Sequence, residues 1–179
     1  SVATNTGIVE RSIVGVHDAN FVRPIGDELI TNGGFSNGST DWTAVNANIS
    51  VLDNQLVVDD TANLGSDSRA HQTIPTAIGK LYRLTFDRIS TTSAFWLAVG
   101  SGDPLPYNNI FRQYLGTDTG VYKLEFTAIS STTTISLMTG GTGITVFDNI
   151  SVKEMLVNRE STATNTGIVE RSLTGVNES

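Results

Sequence analysis

The sequence predicts an all-β protein, a two-sheet antiparallel β-sandwich with extended N- and C-terminal segments. Three observations predict it. Apolar and polar residues alternate in one short stretch after another, and no window carries a 3.6-residue apolar period. Turn-forming residues separate those stretches, with 17 Gly and 4 Pro in the chain. Charged residues make up only 16% of the 179 residues, low for a helical protein and usual for an extracellular or particle-borne β-protein.

In chain order, the first feature is a repeat. Ser1–Val16 reads SVATNTGIVERSIVGV and Ser161–Val176 reads STATNTGIVERSLTGV, with Ala3–Ser12 recurring unchanged as Ala163–Ser172. Three readings stand. The copies are a duplicated linker, they mark one period of a longer tandem array and the start of the next, or they are equivalent interaction strands. As strands they would place Ile8, Glu10 and Ser12 on one face and Val9, Arg11 and Ile13 on the other, and Ile168–Val176, with Ile168, Val169 and Arg171, repeats this. Neither face is cleanly apolar, so such a strand needs a partner chain or a free sheet edge. Pro24 and Gly26 make His17–Gly26 a linker, with His17 a solvated loop residue. The predicted domains are therefore 1–26 (N-terminal repeat and linker), 27–154 (sandwich) and 155–179 (C-terminal linker and second copy).

The stretch Glu28–Thr43, ELITNGGFSNGSTDWT, organises the domain. Leu29–Ile30 is apolar, and Asn32-Gly33-Gly34 offers residues that tolerate the positive φ of a sharp bend. Phe35 and Trp42 then place two large rings either side of a small, polar loop, which would pin that loop onto a core.

The remaining elements follow the same logic. Ile49–Leu52 and Gln55–Asp59 flank Asp53-Asn54, a tight hairpin signal. Arg69–Thr73 is a strand ending at Pro75, with Arg69, His71 and Thr73 on a solvated face. Lys80–Ile89 buries Tyr82, Leu84 and Phe86 and exposes Arg83, Thr85 and Asp87. Ala94–Gly100 sends Phe95, Leu97 and Val99 to one face and Trp96 and Ala98 to the other. Val121–Ile129 turns Tyr122, Leu124 and Phe126 inward, and Thr133–Met138 contributes Ile135 and Leu137. Ile144–Val152 places Ile144, Val146, Ile150 and Val152 in phase, after a Gly140–Gly143 hairpin turn. Many short antiparallel strands with one apolar face make a sandwich of the jelly-roll class.

Composition also excludes functions. Net charge is −7 and the pI about 4.6, with no basic run, so no nucleic acid partner is expected. Cysteine is absent, which removes disulfides, thiolate metal sites and thiol nucleophiles. No apolar run reaches the roughly 18 residues that insert in a membrane. Ser1–Gly7 lacks a signal pattern, as expected of a chain not secreted by that route or of an internal piece. Two histidines, no Gly-x-Ser-x-Gly elbow and acids confined to turns leave no catalytic residues to nominate.

The strings LITNGGF, DWT, GKLYRLTF, GVYKLEFTA and VFDNISVKE resemble the jelly-roll carbohydrate-binding modules of the galactose-binding-like superfamily. The version found in tail, fibre and other virion proteins of tailed phages is especially similar. The likeness spans 27–154 and implies that Phe35 and Trp42 are core aromatics. It also implies a structural calcium held by Asp148 and by carbonyls near Asn32, although Ser36 stands where many members carry a carboxylate. The alternative is that Asp148 caps backbone amides.

Contact candidates follow. Trp96 is a sugar platform or a residue buried under a loop or subunit contact, and Arg83 decorates the same face if it shares the sheet. Ser101–Gly120 reads as one long irregular stretch bearing Tyr107, Phe111, Arg112 and Tyr114, for glycan or for protein–protein contact. The expectation is a non-catalytic structural and adhesion protein on a phage particle surface (tail, fibre or capsid). It would form a homo-oligomer, contacting itself, other virion proteins and host-surface glycans. The alternative is a glycan-binding module of a secreted polysaccharide-degrading enzyme.

Overall fold

A computed structural model describes residues 22–102 and 108–157. Among them there is no helix. The strands are β1 (Val22–Pro24), β2 (Thr43–Val45), β3 (Asn48–Leu52), β4 (Gln55–Asp59), β5 (Arg69–Pro75), β6 (Leu81–Thr91), β7 (Ala94–Gly100), β8 (Phe111–Gly116), β9 (Gly120–Thr127), β10 (Thr132–Gly140) and β11 (Ile144–Val157). One sheet runs β3-β4-β11-β6-β9 with β1 also on β11, and the other runs β2-β5-β10-β7-β8. Every pairing is antiparallel. The expected two-sheet sandwich is what the chain forms.

The core sits where the inward faces meet. Tyr82, Leu84 and Phe86 of β6 and Phe95, Leu97 and Val99 of β7 are buried, as their alternation predicts. Phe86 and Phe147 come from the six-stranded sheet and Phe95 from the five-stranded one. Their ring centroids lie 5.8 Å (Phe86–Phe95), 6.1 Å (Phe86–Phe147) and 5.1 Å (Phe95–Phe147) apart, within the range of favourable aromatic pairs. Beside them Arg88 is 1% exposed. Its guanidinium lies 5.3 Å from the Phe95 ring and 5.2 Å from the Tyr122 ring, and Nη1 donates to the Gly116 carbonyl at 3.0 Å. Burial pulls its pKa below the usual arginine value, against the upward pull of Tyr122 and Asp118.

The Glu28–Thr43 stretch is pinned as its two rings require. Phe35 and Trp42 are buried with centroids 5.7 Å apart. Gln72 ties both ends of the loop: its Nε2 donates to the carbonyls of Thr31 and Asp41, and its Oε1 accepts from Thr31 N–H. The Glu28 carboxylate accepts the N–H groups of Ile30 and Val152 and the Ser151 hydroxyl, which fastens the loop to β11.

Four expectations change. Asn32 and Phe35 take the positive φ in this bend, at 51° and 52°, and Gly33 does not. Gly33 is required by space instead, since an added Cβ would stand 2.0 Å from the Ile150 carbonyl oxygen. Ile144 and Val146 point away from the core, and Thr145 and Phe147 are buried in their place. The cause is a bulge between Asp148 and Ser151, with Asn149 at φ 52°. One extra residue changes the parity of the strand, so Phe147 before the bulge and Ile150 and Val152 after it all face inward. Val22–Pro24, expected within a linker, pairs with Met155–Val157. Phe111–Gly116, expected within an irregular stretch, is an edge strand on β7.

Gly33→Ala should lower stability by roughly 1–3 kcal/mol, the usual cost of overpacking. Gly34→Ala, whose Cβ would meet nothing within 4 Å, should leave the melting temperature unchanged. Equal melting curves for the two variants would contradict the close approach to Ile150.

Candidate functional site

The outer face of the five-stranded sheet carries the most concentrated set of candidate contacts. Register places Thr43, His71, Ser136, Ala98 and Arg112 in one row across β2, β5, β10, β7 and β8. Val45, Arg69, Met138, Trp96 and Tyr114 form the adjacent row. Thr73, Thr134 and Gly100 continue the surface, with the two threonine hydroxyls 2.9 Å apart. Ala98, Ser136 and Thr134 are small side chains on the central strands and, with Gly100, are buried.

At the β7–β8 edge, Trp96 is half-buried and rests on Ala98 and Met138. Tyr114 meets it edge-on, with centroids 4.9 Å apart, and is 55% exposed. The Arg112 guanidinium lies 5.0 Å from the Trp96 ring centroid, a cation–π contact, and its Nη2 donates to Asp67 Oδ1 at 3.0 Å. Asp67 precedes β5 at the far side of the central strands, so Arg112 reaches back across the face. Trp96 is therefore neither entombed nor bare. Three expected contact residues, Trp96, Arg112 and Tyr114, come together here.

The other expected contacts do not join them. Arg83 is on β6, in the six-stranded sheet, and points away from the core as Trp96 does. The two residues thus face opposite sides of the sandwich. Phe111 is opposite Val99, and its partly buried ring packs against the core, which removes it from the outer face. Tyr107 lies outside the described residues. So do the assembly candidates Ile8, Val9, Arg11, Ile168, Val169 and Arg171, and so does His17. Arg69 and His71, expected on a solvated face, are each only 3% exposed.

His71 and Ser136 are direct cross-strand neighbours. Ser136 Oγ is buried and makes no hydrogen bond, so the pair forms no serine–histidine dyad. Sequence reasoning missed Ser136, Met138 and Asp67 as parts of this face. The signal was there in the Thr and Ser residues alternating with Ile135 and Leu137 along β10.

The oxygens that the resemblance implies for calcium each accept a hydrogen bond. Asp148 Oδ1 accepts the Asn149 N–H at 2.7 Å, the capping role. The carbonyls of Asn32 and Gly33 accept N–H groups from Phe35 and Ile150. Calcium takes about six to eight oxygen ligands, and no group of three or more His, Asp or Glu side chains stands together among the described residues.

No protein-family model and no curated protein matches the chain. Solved structures do match. A CBM4 module is similar at TM-score 0.54 and 18% identity, over 70% of this chain and 99% of that one. The enzymatically active domain of tailspike protein 4 from bacteriophage CBA120 is similar at TM-score 0.51 and 15% identity. That match covers 71% of this chain and 21% of the tailspike chain. A mutant family 29 carbohydrate-binding module gives TM-score 0.50 at 10% identity, over 74% of this chain and 86% of the module. The chain thus shares the jelly-roll fold of carbohydrate-binding modules, a fold also found within a phage tailspike protein.

Arg112→Ala should uncover Trp96. Acrylamide quenching of tryptophan fluorescence should rise, because Trp42 is buried and contributes little to it. Stability should fall by no more than about 1 kcal/mol, as befits an exposed ion pair. Quenching identical to that of the unaltered protein would show that Arg112 does not shield the ring.

Proposed function

We propose that this protein is a non-catalytic adhesion and structural component of a phage particle, in its tail, fibre or capsid surface. It binds glycans through the outer face of the five-stranded sheet and contacts itself or other virion proteins. The observation that carries the glycan reading is the Trp96–Tyr114–Arg112 cluster at the β7–β8 edge. Sugar recognition needs an apolar ring for the pyranose face and polar planar groups beside it for the hydroxyls. Trp96 and Tyr114 supply rings, and Arg112 and Asp67 supply a donor and an acceptor already held in place by each other.

The fold likeness to a CBM4 module over its full length supports the binding part of this reading. The likeness to a tailspike domain supports the virion part. The CBM4 match equally favours a second reading, a glycan-binding module of a secreted polysaccharide-degrading enzyme. The parent polypeptide separates the two: neighbouring virion domains support the first and a hydrolase domain the second.

A glycan array probed with the full chain tests the binding. Trp96→Ala should weaken a neutral-sugar hit by roughly tenfold or more, the scale of losing a central aromatic contact, with an unchanged melting curve. No signal from the unaltered protein across host-surface polysaccharides would remove the adhesion role.

A further inference from the structure

The opposite face of the sandwich holds a second, chemically different surface. On the outer side of the six-stranded sheet, Lys153, Arg83 and Glu125 lie in one row across β11, β6 and β9. Ser151, Thr85 and Lys123 form the next row. Pro24 closes one end, and together with Arg83, Thr85, Lys123, Ser151 and Lys153 it lines a depression of about 260 Å³.

The charge balance here runs against the rest of the molecule. The chain has a net charge of −7 and only 11 Lys and Arg residues, yet three of these cations border one depression. Lys153 stands directly opposite Arg83, a like-charge pairing that costs stability in a sheet. Glu125 compensates Arg83, accepting its Nη2 at 2.6 Å and its Nε at 3.2 Å. Lys123 and Lys153 form no ion pair with any described residue. The other acids near this face hydrogen-bond to neutral groups or pair elsewhere and keep their charge: Glu28 with Ser151, Ile30 and Val152, Asp87 with the Asn149 side chain, Asp148 with the Asn149 N–H, and Glu154 with Lys80 at 3.2 Å.

We propose that this depression binds the anionic group of an acidic polysaccharide, a sugar carboxylate or sulfate. Two uncompensated ammonium groups attract the anion, and Arg83 and the Thr85 hydroxyl orient it through hydrogen bonds. The surface around it favours a hydrated carbohydrate over a protein partner. Pro24 is its one apolar wall, whereas protein interfaces are built on an apolar, aromatic core. The site is independent of the Trp96 face and stands or falls without it.

Isothermal titration of the full chain with polygalacturonate, dextran sulfate and neutral dextran tests the proposal. At least one acidic polymer should bind, with affinity falling as salt rises, and neutral dextran should not compete. The polymer that binds identifies the anion. The double variant Lys123→Gln/Lys153→Gln should weaken that binding by about fivefold or more at an unchanged melting temperature, while Trp96→Ala leaves it intact. The proposal is overturned if neither acidic polymer binds or if the double variant binds as the unaltered protein does. Poly-glutamate binding as tightly as the polysaccharides would also overturn it, since charge alone would then be recognised.

Discussion

The contact of Phe86, Phe95 and Phe147 across the sheet interface is what the rest of the structure depends on. These rings come from β6, β7 and β11, strands in the interior of their sheets, and they set which side of each strand is inside. Successive side chains of a strand point to opposite faces, so a slip of one residue would exchange the two sets. With Phe95 inward, Trp96 must face out. With Leu84 and Phe86 inward, Arg83 and Thr85 must face out. The chemistry of both outer surfaces is therefore a consequence of the packing between them.

Those two surfaces differ because the strands behind them differ. On the five-stranded sheet the outward residues of β7 and β10 are Trp96, Ala98, Ser136 and Met138, apolar or small, with aromatic and cationic side chains at the edge. On the six-stranded sheet the outward residues of β6, β9 and β11 include Arg83, Lys123 and Lys153 with Thr85 and Ser151, beside the acids Glu125, Asp87 and Asp148. A sandwich keeps such faces apart without further machinery, since roughly 10 Å of apolar core lies between the sheets. The Glu28–Trp42 loop acts at the end of this assembly. Through Gln72 it bonds to one sheet and through Glu28 to the other, so its polar backbone is satisfied over an apolar core.

Much of the fold was legible in the residue pattern. The buried sets of β4, β6 and β9 follow strict alternation, and the Asp53-Asn54 turn takes positive φ at both residues as a tight hairpin requires. The bulge at Asp148–Asn149 was not legible as a change of parity, because a local insertion leaves apolar residues on both sides of it. β8 was hidden because it is an edge strand whose inward residues, Phe111, Gln113 and Leu115, include a polar one. Gly33 looked like a residue chosen for its dihedral freedom, and only the position of Ile150 reveals that it is chosen for its size.

Of the site, the sequence by itself determined that Trp96 lies on the opposite side of its strand from Phe95, Leu97 and Val99. Periodicity is a local property, written in neighbouring residues. Which strands lie side by side is not local. Only the tertiary structure decided that Arg112 reaches Trp96 and Asp67, and that Arg83 stands with Lys153 and Lys123 on the other sheet. The physical reason is that strand order in a sandwich comes from hydrogen bonding between segments far apart in the chain, and no spacing along the sequence encodes it.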